Sequence, residues 1–210
     1  MSEIVFSDVI ETMDALREII GQPAQRSLDK VQTEIDELSA AWIAASPFVL
    51  IATSDTNGNL DVSPKGDPAG FVQVLDRKTL LIPDRPGNRR IDTLGNILQH
   101  PKVGLIFLVP GKQETLRVNG RARIVRDAAL RERFAVNGKL PALLIAVTAE
   151  EVYVHCAKCV IRSGLWENVE SPLNDAVPTL AEMLIVQAKM DGTLEEVQAL
   201  LDKSYTETLY

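Results

Sequence analysis

The stretch ETLRVNGRARIV, from Glu114 to Val125, constrains the fold more than any other part of the chain, because Leu116, Val118, Gly120, Ala122 and Ile124 alternate strictly with Thr115, Arg117, Asn119, Arg121 and Arg123. A period of two sends the first set to one face of a strand and the cationic set to the other, as in an antiparallel sheet with one covered and one solvated face. Other short runs share this β-rich texture: FVLIATS from Phe48, LDVSP from Leu60, GFVQVL from Gly70, TLLIP from Thr79 and KVGLIFLV from Lys102. Turn signals such as Asn57-Gly58 and Pro110-Gly111 separate them. LLIAVTA from Leu143 and EVYVHC from Glu151 read as two closing strands. Runs at this spacing predict a small antiparallel barrel.

Helical patterns flank the strands. Val9, Met13, Leu16, Ile19 and Ile20 form one stripe closed by Gly21, and Val31, Ile35, Leu38 and Trp42 form a second. A further helix follows Asp127 to about Phe134. The chain is helical again from Thr179 to about Asp202, with a break at Asp191-Gly192. The fold class is mainly β with added helices, an α+β arrangement in one domain over 1–210: an N-terminal helical arm at 7–46, a barrel core at 48–166 and C-terminal helices at 178–203. At 210 residues and 46% hydrophobic, the chain can build one core and is too short for two large domains.

The segment LLIPDRPGNRR, Leu80 to Arg90, carries the strongest chemical signal: an apolar strand enters a turn with three arginines and then an amphipathic helix marked by Ile91, Leu94, Ile97 and Leu98. The formal net charge is -7, so Arg85, Arg89 and Arg90 are a local concentration and not part of a basic surface of the kind that binds nucleic acid. Asn88 reads as an N-cap that places Arg89 and Arg90 in the first helical turn. Cations there suit a bound anion, because the free N–H groups and the dipole already favour negative charge. The alternative is that the arginines pair with Asp84, Asp92 or other acids.

No apolar run approaches the roughly 18 residues that span a bilayer, and the acidic start MSEIVFSDVIETMD lacks the basic and apolar regions of a signal peptide. With only Cys156 and Cys159 for thiols, the expected location is cytoplasmic. These two form CAKC, but no second CxxC exists and His155 precedes Cys156, so neither a zinc site nor covalent haem attachment follows. His100 reads as a helix-end residue. No Rossmann or P-loop glycine motif is present.

Taken in order, DVSPKGD at Asp61, IPDRPGNRR at Ile82, HPKVGLIF at His100, ETLRVNGRARI at Glu114 and AKCVIRSGLW at Ala157 resemble the FMN-binding split barrels of the pyridoxamine 5'-phosphate oxidase-like family. The resemblance spans roughly 48–166 and is closest to a subgroup of flavin-binding oxidoreductases with extra terminal helices. It implies a homodimer with FMN at the subunit interface and a small-molecule substrate, with no nucleic acid or membrane as partner. It also implies that Lys65 and the Asn88-Arg89-Arg90 turn hold the phosphate, that Ile82, Pro83 and Asp84 border the flavin ring, and that Ser63 and Pro64 line the same cavity. Thr115 stands where the family has a flavin-contacting glutamine. Trp166 matches an aromatic residue from the partner subunit. Lys158 and Arg162, close in sequence to that tryptophan, are added as cations that would favour the anionic reduced ring. No protein residue is assigned as catalytic, since the cofactor carries the chemistry.

The family's Arg-x-His substrate element has no counterpart after His155, which argues against vitamin B6 oxidation. The alternative function is a split barrel that binds flavin or haem without turnover. A deazaflavin-dependent reductase is a third reading, set against a corner sized for FMN.

Overall fold

A computed structural model describes residues 4–167 and 174–210. Among these, seven strands form one antiparallel sheet: β1 (Phe48–Ser54), β2 (Leu60–Gly66), β3 (Gln73–Val74), β4 (Thr79–Asp84), β5 (Lys102–Leu108), β6 (Thr115–Val125) and β7 (Leu143–His155). The order across the sheet is β2-β1-β5-β6-β7-β4-β3. The sheet curls but does not close, so β2 and β4 face each other across a split without pairing. The helices are α1 (Met13–Ile20), α2 (Gln25–Asp29), α3 (Glu37–Ala45), α4 (Asp92–Gln99), α5 (Ala128–Glu132), α6 (Lys158–Ser163), α7 (Leu180–Gln187) and α8 (Leu194–Glu207). The mainly β, split-barrel expectation with added helices holds.

The alternation in β6 is realised as predicted: Leu116, Val118 and Ala122 are buried while Arg121 and Arg123 face solvent. The barrel interior is filled by Val49, Ile51, Leu80, Leu105, Phe107 and Val147, and the fully buried Ile43 of α3 joins the same core. On β4 both faces are covered, because Leu81 points outward against Phe134 and Leu144.

Three local expectations are corrected. LLIAVTA and EVYVHC are one strand, β7, interrupted only by a bulge. Asn119 pairs with Glu151 and Gly120 with Ala149, so Glu150 has no opposite number on β6 and the acidic Glu150-Glu151 step is a bulge, not a turn. The second helical stripe does not exist as one helix. Asp36 caps α3, and Gln32 exchanges backbone hydrogen bonds with Val152 along the part of β7 that β4 leaves free, so Val31 and Ile35 precede the helix and Leu38 is exposed. The third correction, to the start of α4, concerns the site itself.

Of the first stripe, Met13, Leu16, Ile19 and Ile20 form α1, ended by Gly21 at φ 78, while Val9 precedes the helix and lies outside it; none of these residues is buried. At the other end of the chain α7 and α8 pack on each other, each opened by a capping box on Thr179 and Thr193, with the predicted break falling at Gly192.

Candidate functional site

A cleft of about 560 Å³ opens beside the split, between β2, the turn from Asp84 to Asp92 that links β4 to α4, and the loop at Lys139–Ala142. β2 is an edge strand paired only with β1, which accommodates Pro64 despite its missing N–H. Its alternation turns Asp61, Ser63 and Lys65 to the more covered face. Lys65 Nζ meets Asp84 Oδ1 at 3.3 Å, an ion pair that bridges the split.

The arginine corner is built differently from the expectation. Asn88 is not the N-cap of α4: its side-chain oxygen accepts the Arg90 N–H at 3.0 Å, closing a local turn, and the helix begins only at Asp92. Arg89 and Arg90 therefore precede the helix. The cap position falls on Ile91, which provides no side-chain hydrogen bond and sits at φ 57. Arg89 is also left-handed, at φ 60. Non-glycine residues in that region each carry strain, a β-branched isoleucine most of all, and such strain concentrates at functional sites.

The three arginines divide into paired and unpaired. Arg85 Nε donates to the buried Asp67 carboxylate at 2.6 Å and its Nη1 to the Phe134 carbonyl at 3.0 Å. Arg90 Nε donates to Asp92 at 2.7 Å, and this bond holds its pKa above the usual arginine value. Arg89 has no hydrogen-bond or ion-pair partner among the described residues. The acids of the cleft are likewise occupied, with Asp61 accepting from Thr93 Oγ1 at 2.7 Å and Asp84 held by Lys65. Five cationic side chains line the cleft against three acidic ones, in a chain whose net charge is -7.

Of the predicted site residues, Ser63, Pro64, Lys65, Asp84, Asn88, Arg89 and Arg90 come together here. Ile82 and Pro83 do not line the cleft: Ile82 is in the core, and both are paired along β7. Thr115 lies at the start of β6 opposite His155. Lys158 and Arg162 are on α6, and Trp166 just beyond it donates its indole N–H to the Lys112 carbonyl at 2.7 Å. None of these four reaches the cleft of its own chain. Neither histidine reaches it: His100 Nδ1 is 3.0 Å from Ser54 Oγ, and His155 ends β7. Cys156 and Cys159 are exposed free thiols, and among the described residues no three His, Cys, Asp or Glu side chains gather as metal ligands.

Sequence reasoning missed the wall opposite β2, made by Lys139, Leu140, Pro141, Ala142 and Tyr210. Asn137-Gly138, both at positive φ, marks the turn into that loop and was a usable signal. Tyr210 carried none, because its contact with Asp67 spans most of the chain.

Comparison with known proteins bears on the barrel. No curated protein matches the chain. Among solved structures, HupZ of Group A Streptococcus is similar at 19% identity and a TM-score of 0.47, covering 57% of this chain and 93% of that one. General Stress Protein 26 of Bacillus anthracis is similar at 17% identity and a TM-score of 0.43, covering 54% and 88%. An FMN-binding protein of Syntrophomonas wolfei is similar at 12% identity and a TM-score of 0.43, covering 68% and 93%. A family model described as pyridoxamine 5'-phosphate oxidase matches residues 35–156, more than half of the sequence, from just before α3 to just past the end of β7. The residues that build the barrel and its split are those the family model matches, and the chain belongs to the pyridoxamine 5'-phosphate oxidase family.

Proposed function

We propose that this protein is an FMN-binding flavoprotein and that the cleft at the split holds the phosphate end of the cofactor. The observation that carries the reading is Arg89: the one cleft arginine without a partner among the described residues, on a strained backbone beside the uncapped N-terminus of α4. An unneutralised guanidinium next to free helix N–H groups is what a phosphate dianion needs, and strain held at such a point is consistent with preorganisation for it. The cleft's volume falls within the range of about 300–1,000 Å³ typical of small-ligand pockets.

In this reading Arg89 and Arg90 bind the phosphate, and Lys65 adds charge while Asp84 fixes its position. Ser63 and Pro64 form the near wall. Bound FMN supplies two-electron transfer, which makes an oxidoreductase acting on a small molecule the favoured activity. The protein's part is to orient the ring and keep water from it. Ile82 and Pro83 would meet the ring through their main chain, since the Ile82 side chain is committed to the core.

A homodimer completes the site: Thr115, Lys158, Arg162 and Trp166 lie away from the cleft of their own chain and are assigned to a partner's flavin. Supporting this are the uncovered apolar side chains of the N-terminal arm, among them Phe6, Val9, Met13, Ile19 and Ile20. We place the protein in the cytoplasm, a reading supported by its two free cysteines; no described helix is long and apolar enough to cross a membrane. The haem alternative finds no histidine at the cleft.

The test is an absorption spectrum of freshly purified protein, with mass spectrometry of what acid or heat releases. Flavin bands and released FMN are expected. A Soret band, or a colourless protein that takes up no added FMN, would remove the proposal.

A further inference from the structure

Tyr210 reaches the cleft from the segment that follows α8 and is fastened there by three different elements. Its hydroxyl donates to Asp67 Oδ1 at 2.6 Å. Its ring lies beneath the Arg85 guanidinium, 5.4 Å from ring centroid to Cζ. Its main-chain oxygen accepts from Lys139 Nζ at 2.8 Å. Asp67 is the hub of this arrangement: its side chain is 2% exposed, and its other oxygen receives Arg85 Nε. A buried carboxylate that accepts two charge-directed bonds is a strong anchor. By contrast Leu209, just before the tyrosine, is 60% exposed, so the segment is held here mainly through Tyr210.

The placement matters as much as the fastening. Tyr210 lines the cleft with Leu140 and Pro141, on the side away from β2. By keeping Arg85 engaged with Asp67, this cluster also leaves the anion-binding charge to the neighbouring Arg89. We infer that Tyr210 is a ligand-retaining residue: a strap that closes one side of the anion cleft and offers an aromatic face to a phosphorylated planar ligand. This inference rests on the reading of the cleft as the FMN site and adds to it a residue outside the matched barrel. Ligand leaves when the Tyr210 hydroxyl lets go of Asp67 and the segment swings out, so residence time depends on that bond while recognition depends on Arg89.

The experiment is stopped-flow release of FMN from the holoprotein, comparing wild type with Tyr210→Phe and Tyr210→Ala. Tyr210→Ala should release FMN roughly tenfold faster and Tyr210→Phe about threefold faster, with association rates within about twofold of wild type, since loss of a retaining contact appears in the off-rate. A merely structural role would instead lower the bound stoichiometry. Unchanged release from Tyr210→Ala would overturn the strap. Amide hydrogen exchange on the ligand-free proteins gives a second, independent reading: faster exchange at 204–209 and 139–142 in Tyr210→Ala supports the strap, and unchanged exchange overturns it. Failure of wild type to bind FMN would sink the cofactor reading alone, and the exchange result would then decide the strap.

Discussion

Lys65 and Asp84 meet at 3.3 Å although their strands, β2 and β4, pair nowhere in the sheet. The contact shows how an open sheet makes a site. The two strands bring opposite charges across the split, and Asp67 and Arg85, each a residue or two further along its own strand exit, repeat the bridge at 2.6 Å. These two ion pairs consume four charged groups. Arg90 is tied to Asp92 and Lys139 donates to the Tyr210 main-chain oxygen, which leaves Arg89 as the cleft cation without a partner among the described residues, and the binding properties of the cleft follow from that remainder.

Arg89→Ala should therefore weaken FMN binding far more than Arg90→Ala. Losing an unshared guanidinium–phosphate contact costs about 1.5–3 kcal/mol, roughly 10- to 100-fold in Kd. Arg90 is 72% exposed and already tied to Asp92, so its removal should cost under about 1 kcal/mol. Titration of the apoproteins with FMN, followed by flavin fluorescence, checks the ranking. Equal affinities for wild type and Arg89→Ala would show that the phosphate lies elsewhere.

Ile91→Gly tests whether the corner stores strain. Ile91 is 65% exposed and held at φ 57, so glycine gives up little burial and relieves a left-handed backbone worth about 1 kcal/mol or more. For a domain of this size the melting temperature of the apoprotein should rise by roughly 2–4 °C. FMN affinity should fall in the same variant, as the loosened corner stops presenting Arg89. A lower melting temperature would mean the conformation is comfortable and the strain argument wrong.

How much of this was legible in the sequence depended on range. The face of β6 could be read from its own residues, because alternation is a local consequence of the pleat. The arginine corner was visible for the same reason, but its detail was not: Asn88 has the chemistry of an N-cap, yet its side chain closes a turn on Arg90 and the cap falls to Ile91, which no propensity favours. The pairing of each arginine was undecidable, since Asp84, Asp92 and other acids were all candidates until the split brought Asp67 to Arg85. Tyr210 was invisible, being placed by a partner 143 positions away in the chain.

That partner gives a pH signature. The hydrogen bond to Asp67, with burial and the nearby carboxylate charge adding to it, raises the Tyr210 phenol above its ordinary value of 10.0, while Arg85 acts against the rise. A raised folded value means that the hydroxyl's stabilising bond is complete below the unfolded pKa and is lost as pH rises through the folded one. Spectrophotometric titration near 295 nm should show one phenol ionising late, absent in Tyr210→Phe and shifted down in Asp67→Asn. A profile unchanged by Asp67→Asn would dissociate the two groups.

Gly120 carries the sharpest stability prediction. It sits at the bulge where β6 meets β7, and a Cβ added there would lie 2.1 Å from the Thr148 carbonyl oxygen. The obstacle is backbone in the middle of the sheet, so no side chain can rotate away to admit the methyl group. Gly120→Ala should lower unfolding free energy by about 3 kcal/mol or more, seen as a reduced urea midpoint at an unchanged slope. A Gly120→Ala protein with the wild-type midpoint would mean that the two strands can separate there at little cost and that the bulge is not a fixed point of the barrel.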